Sequence, residues 1–467
     1  MDRYKKLLSN SFIFTIANFG SKIITFLMVP LYTNYLNPNQ YGSVDLITTT
    51  VSLLVPLLSM EIGQAIIRYS IENTDFRNRK KIFNNMILFS LGLLLFIVFA
   101  VISLKVMNVK INYLFYFSLL LYNSILNSLF SQFVRGIGRV KQFAFNGVIT
   151  TFVTVILNII FLVFGGLEVA GYLLSMILSL VISNIYLLIS AKEFINLNNL
   201  KGSKAQLKEM IHFSIPLIPN SSMWWLINSS TRYFILYFVG TEGNGLFAVA
   251  NKIPSIISLI NTIFSQAWQI SSFEEYNSND REKFYGKIFE IYSSILFIAS
   301  SLLLIFIKPI MDIFVAENYY ESWMIIPPLL VGVIYQSLST FLGMNYTASK
   351  QTKGAFTTSV YGAIFSVFSS LIFIPIFGTI GAGVSTAFGF GAMLILRLVD
   401  TRKIVKIDIN IQRFVFNNVL IIIQGFSLFY LESMYVYIVQ TLIFLSIVVI
   451  NRSLLINIVK YLTSFLR

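Results

Sequence analysis

The sequence contains no cysteine and a single histidine, His212. Without cysteine there is no disulfide framework and no thiolate metal site. One histidine with no carboxylate or nucleophile grouped about it offers neither a metal centre nor a catalytic relay, so the chain reads as a non-enzyme without a metal or organic cofactor. Charge is scarce too, at 12% of 467 residues, whereas a soluble domain carries about 25%. Long polar stretches are also missing. The longest segments between apolar runs, about 191–210 and 269–287, are charged and amphipathic and too short to fold as a domain.

What is present is apolar: 56% hydrophobic residues, 44 Phe, 24 Tyr and a mean hydropathy of +0.77. A surface with so few charges faces lipid. The basic head Met1–Lys6 runs into an apolar stretch longer than the core of a cleavable signal. Fourteen runs of spanning length fall near 10–33, 42–66, 82–104, 113–134, 143–164, 169–190, 211–238, 245–268, 288–310, 323–345, 355–377, 380–398, 414–431 and 434–450. Arg413, Glu432 and Arg452 leave the last two short. Cytoplasmic loops gather Lys and Arg. With both termini inside, 28 of the 34 basic residues fall on the inner side, the group Arg397, Arg402, Lys403, Lys406 and Arg413 among them. The net charge of +14 follows from that bias and needs no nucleic acid.

The chain echoes itself at a shift of about 211 residues. Arg139 to Phe145 leads into the fifth run as Lys350 to Phe356 leads into the eleventh, and the turns Gly165-Gly166 and Gly378 are each followed by small residues, Ala170-Gly171 and Ala382-Gly383. Asp75 to Phe83 is matched by Asp280 to Phe289. The expectation is an all-α membrane protein of about fourteen helices in a 6+6+2 plan. Two six-helix lobes, 1–200 and 201–405, would be related by a pseudo-two-fold axis along the membrane normal, with two further helices in 406–467.

Five ionisable residues lie inside runs: Lys22, Asp45, Glu61, Arg232 and Lys252. A charge facing hydrocarbon costs at least about 2.5 kcal/mol, so such groups face a partner or a wet cavity. Lys22 is roughly 18 Å from the inner end of its run, beyond the reach of snorkelling; Arg232 and Lys252 are both roughly 10 Å deep from the outer side. Three cations against two acids favour an anionic guest, and an arginine can fork onto two phosphate oxygens. The structural alternative is ion pairing between the lobes, Asp45 with Arg232 or Lys252. Pro30, Pro56, Pro216, Pro219 and Pro254 mark bends in the same runs.

The residues Asn18, Pro30-Leu31-Tyr32, Leu36-x-Pro38-x-x-Tyr41-Gly42, Pro216-x-x-Pro219, Trp225, Asn228, Arg232-Tyr233, Gly245-x-x-Ala248-x-Ala250-x-Lys252-Ile253 and Gln266-Ala267-Trp268 carry a resemblance. In their order the chain resembles the polysaccharide repeat-unit flippases, the Wzx-type O-antigen and capsule exporters of the multidrug/oligosaccharidyl-lipid/polysaccharide superfamily, which are MATE-like in fold. Two positions depart from the family pattern: Thr231 where an acid often precedes the arginine, and Ile270 where a proline often follows the Gln-x-Trp segment. The resemblance implies alternating access, carrying an undecaprenyl-pyrophosphate-linked oligosaccharide from the cytoplasmic to the outer leaflet of the bacterial plasma membrane. It also implies action as a monomer, with a polysaccharide polymerase as a partner. Arg232, Lys252 and Lys22 would compensate the pyrophosphate, and Trp224, Trp225, Asn228 and Tyr233 would shelter the sugar. H+ or Na+ coupling would use Asp45 or Glu61. Three other readings stand beside this one: a peptidoglycan lipid-II flippase, a drug or cation antiporter of the same superfamily, and a membrane glycosyltransferase or polymerase. The antiporter wants more carboxylates, and the enzyme wants larger outer loops than this chain has.

Overall fold

A computed structural model describes residues 20–73, 75–195, 202–349, 351–431 and 433–465. The basic head, Asn18, Lys201, Lys350, Glu432 and Arg467 lie outside the described residues. Every regular element described is helical, and the chain separates into two compact units, Met1–Ser222 and Met223–Arg467.

Helix starts are written in the sequence. Asn37 accepts from the Gln40 N–H while the Gln40 side chain accepts from the Asn37 N–H, a capping box that opens Pro38–Leu58. Asp75 caps Phe76–Val106 and Asn410 caps Ile411–Tyr430, each by accepting a backbone N–H three residues on. Burial is that of a protein in lipid: Leu95, Phe99 and Ile313 are 70%, 69% and 79% exposed.

Ten helices among the described residues are long and apolar enough to cross a membrane, or eleven if the pair Thr241–Ala250 and Pro254–Phe273, bent by 51°, is one span. One of the ten, Lys353–Lys403, has 51 residues, about 75 Å if straight and more than twice the hydrocarbon core. It is instead a hairpin. Gly378 breaks the helix at φ +58°, and beyond it Gly381 abuts the Phe373 backbone, Ser369 Oγ donates to Ser385 O at 3.3 Å, and Gly389 abuts Ser366. The partners recede evenly from the turn, as in two antiparallel helices. This separates the eleventh and twelfth runs. The seventh is broken differently, into Ile218–Ser229 and Thr231–Phe238, and only 20–35 of the first is described. With these the helices number about fourteen.

The last two helices are longer than Arg413 and Arg452 suggest: Ile411–Tyr430 has 20 residues and Ser433–Phe465 has 33. Arg413 sits in a first turn and pairs with Glu290 at 3.1 Å. Glycine turns in the two halves both have positive φ, Gly166 at +59° and Gly378 at +58°.

Buried amides bind the helices, because apolar side chains gain nothing by leaving lipid for one another. In the first unit Asn127 donates to Ser183 and Asn184, and Ser183 to Asn146, tying three helices. In the second, Asn417 and Asn451 bond each other while Ser294 donates to Asn451 at 2.7 Å. Ser301 donates to Gln424 at 2.6 Å, and Gln440 donates to the Gln424 carbonyl at 2.8 Å. These contacts fasten both appended helices to Arg281–Phe314.

The segment expected as an inner amphipathic stretch is the helix Lys204–Ser214, capped by Ser203 and docked on Ile62–Glu72 through Tyr69 Oη to Glu209 at 2.8 Å. Burial, then that hydrogen bond, raises the Tyr69 hydroxyl above its usual range.

Candidate functional site

The seventh span begins irregularly. Pro216 lies in the 3-10 turn Ile215–Leu217, and Pro219 opens the α-helix that carries Trp224, Trp225 and Asn228. Two turns on, at the break after Ser229, the chain resumes with Thr231 and Arg232. The candidates Trp225, Asn228 and Arg232 therefore fall at three- and four-residue intervals, with the break between the last two. The Trp225 and Tyr233 rings stand 5.8 Å apart. The Asn228 amide donates to the Trp224 carbonyl and accepts from Gln336 Nε2 of Ile326–Ala348, each at 2.8 Å. Arg232, half-buried, donates from Nη1 to the Asn228 carbonyl at 3.2 Å, with its guanidinium 5.4 Å from the Phe247 ring centroid. The Arg232 carbonyl in turn accepts from the Asn244 side chain at 3.0 Å. The arginine is thus fixed between two spans by an amide on each and one aromatic face.

Lys252 is half-buried at the turn between Thr241–Ala250 and Pro254–Glu274, with Pro254 in the first turn of the outgoing helix. The proline removes an N–H where the helix restarts and would leave it unsatisfied in any case, which accounts for the bend. Thr231, where the resemblance leads us to expect an acid, is 1% exposed. A carboxylate there would be buried beside the arginine's backbone.

The other candidates belong to the first unit. Lys22 is exposed on the helix 20–27. Asp45 is half-buried in Pro38–Leu58, one turn beyond Tyr41. Tyr41 packs on Tyr172, as does Tyr32, whose hydroxyl accepts from the buried Asn158 at 3.0 Å. The sequence reading puts Glu61 within a continuous second span, but the structure ends that helix at Leu58. Met60 and Glu61 follow, both left-handed at φ +50° and +52°. The Glu61 N–H reaches the Pro56 carbonyl and the Met60 N–H the Leu57 carbonyl, the pattern of a helix-terminating turn. Two consecutive non-glycine residues in that region are strained. The Glu61 carboxylate accepts from Ser221 Oγ at 2.5 Å, so the break in the second span is tied to the start of the seventh.

A family model described as polysaccharide biosynthesis protein matches residues 7–269. The chain belongs to that family. The matched stretch contains Lys22, Asp45, Glu61, Trp224, Trp225, Asn228, Arg232, Tyr233 and Lys252, every candidate residue named from the sequence. Solved structures share the fold. Lipid II flippase MurJ in an inward closed conformation is 14% identical, with a TM-score of 0.67 over 95% of this chain and 100% of that one. An inward-facing multidrug resistance MATE family transporter of the MOP superfamily is 16% identical, with a TM-score of 0.65 over 82% and 94%. A MOP superfamily transporter from Pyrococcus furiosus, described as having a binding pocket of reversed polarity, is 15% identical, with a TM-score of 0.56 over 84% and 94%. No curated protein matches the chain. The protein is a multi-pass membrane protein of the polysaccharide biosynthesis family with a MATE-like all-helical fold.

Membership also sorts the motif residues. Trp268 of the Gln-x-Trp segment is 3% exposed, donates to the Phe341 carbonyl at 3.3 Å and stacks on the Phe341 ring at 4.4 Å. It packs in the core of the second unit. The sequence reading missed Gln336 and Ser221, the partners of Asn228 and Glu61. It also set Arg397 among the inner-loop cations, whereas Arg397 is 3% exposed. Last-turn arginines point outward or inward according to the neighbouring helix, which periodicity alone does not show.

Proposed function

We propose that the protein flips an undecaprenyl-pyrophosphate-linked oligosaccharide from the cytoplasmic to the outer leaflet of the bacterial plasma membrane by alternating access, in O-antigen or capsule synthesis. The reading is supported chiefly by Arg232: a cation inside a span, held by the Asn228 carbonyl and the Phe247 face in a member of a polysaccharide biosynthesis family. A lipid brings its own apolar chain, so the protein need only compensate the pyrophosphate and shelter the sugar. Arg232 and Lys252 supply charge for the first task, Lys22 adds to it, and Trp225, Asn228 and Tyr233 offer ring and amide surfaces for the second. Asp45 or Glu61 would carry H+ or Na+ if the cycle is ion-coupled. The protein acts as a monomer with both termini cytoplasmic, and it delivers its product to a polymerase.

Likeness to MurJ along 95% of the chain favours one second reading, a lipid-II carrier. Deleting the gene separates the readings. Loss of surface polysaccharide with normal cell-wall synthesis supports the proposal, whereas lysis rescued by another lipid-II flippase supports the second. Intact polysaccharide with lost drug efflux would sink both. Arg232→Ala at normal membrane level should abolish the polysaccharide, and a normal amount would remove Arg232 from the mechanism.

A further inference from the structure

The hairpin about Gly378 brings Arg397 opposite Thr358, deep in the second unit. Its Nε donates to Thr358 Oγ1 at 3.1 Å, Nη1 to the Ser339 carbonyl at 2.6 Å and Nη2 to Ser359 Oγ at 3.1 Å. Gly343 makes room for it: a Cβ there would lie 2.7 Å from Nη1. Among the described residues no carboxylate is within ion-pair distance of this guanidinium. Burying an arginine without a counter-charge is expensive, and the site compensates with a fork of neutral acceptors that a lysine could not fill together.

One face of the guanidinium is left for an aromatic. The Trp224 ring centroid is 5.9 Å from Arg397 Cζ, within the range of a cation over an electron-rich ring. Phe390, Met393 and Arg397 follow at helical spacing on one face, and Trp224 packs against the cluster of Ile227, Ala363, Phe390 and Met393. Trp224 then leads to the candidate site by consecutive contacts. Its carbonyl accepts from Asn228, whose own carbonyl accepts from Arg232.

We propose that Arg397 is a positioning residue for the seventh span. It holds Trp224 in place, and through the Trp224–Asn228 turn it sets where the Arg232 guanidinium stands. The functional part rests on Arg232 being the cation that meets the cargo.

The test uses 5-fluorotryptophan in the full chain. Its four tryptophans give four fluorine signals, and Trp224→Phe assigns the one that matters. In Arg397→Met the Trp224 signal should shift while those of Trp268 and Trp323 stay. In Arg397→Lys, which keeps the charge and loses the fork, it should remain displaced. Flipping of a fluorescent lipid-linked oligosaccharide in proteoliposomes should fall roughly tenfold or more in both, the scale of misplacing a binding group by about an ångström, with membrane level unchanged. A Trp224 signal that does not move in folded Arg397→Met overturns the proposal. Should Arg397→Met fail to fold, the double variant Thr358→Val with Ser359→Ala keeps the arginine and loosens two of its contacts. An unmoved Trp224 signal there overturns the proposal equally. The fluorine signal is read without cargo, so a wild-type protein that flips no lipid-linked sugar would remove the proposed function and leave this outcome to be judged by itself.

Discussion

Gly389→Ala tests the hairpin register on which the placement of Arg397 depends. A Cβ at Gly389 would lie 2.6 Å from the Ser366 Cβ, 3.1 Å from its Oγ and 3.0 Å from its Cα. Carbons pack at about 3.5–4.0 Å, so the eleventh and twelfth helices must separate by roughly an ångström. Overpacking of that size costs about 1–3 kcal/mol. The compensating change is Ser366→Gly. It removes the two side-chain contacts, and the Ser366 hydroxyl has no hydrogen-bond partner among the described residues, so its own cost is mostly the helix penalty of glycine, about 1 kcal/mol. The double variant should therefore be more stable than the sum of the single losses by about 1 kcal/mol or more. Unfolding of purified protein in mixed micelles, titrated with SDS, measures all three. Strictly additive losses would show that residues 366 and 389 do not face each other, and the fold-back at Gly378 would be wrong.

Asn451→Ala leaves Ser294 and Asn417 without their shared partner and should lower stability by about 1 kcal/mol; the same titration checks it, and no loss would show that this amide contact contributes nothing. Met60→Gly places glycine at φ +50° on a residue that is 38% exposed; relief of left-handed strain should raise stability by up to about 1 kcal/mol, and a lower unfolding midpoint would argue against the turn. Glu61→Gln keeps an acceptor for Ser221 and should leave membrane level and unfolding unchanged, whereas Glu61→Ala should cost about 1 kcal/mol. Equal losses in both would show that the charge, not the hydrogen bond, matters there.

Much of the architecture was legible because bilayer physics is one-dimensional. Apolar runs and the sidedness of Lys and Arg yield about fourteen helices, and Pro254 and Gly378 announce a bend and a turn that the structure contains. The candidate site was legible in part. Trp225, Asn228 and Arg232 follow one another at three- and four-residue intervals along one span, so spacing in the sequence already places them close together. Contacts between distant helices were not. Gln336 meets Asn228 across 108 residues, and Ser221 meets Glu61 across 160. Nor does periodicity show that Arg397 turns inward, since a basic residue in a last turn suits cytoplasm equally well. One overlooked signal was the set of amides within or just beyond the last two apolar runs, Asn417, Gln424, Gln440 and Asn451, all 2% exposed or less. Such groups in lipid-exposed helices need partners, and these bind the appended helices to Arg281–Phe314 within the second unit.

The proposed function requires that Arg232 meet an anionic lipid head group. Purified protein in proteoliposomes, loaded with a fluorescent undecaprenyl-pyrophosphate oligosaccharide in one leaflet, measures this directly through loss of signal to a membrane-impermeant quencher. Wild type should move the lipid between leaflets and Arg232→Ala should not, while both reconstitute equally. Equal rates for the two, or no movement by wild type, would contradict the account.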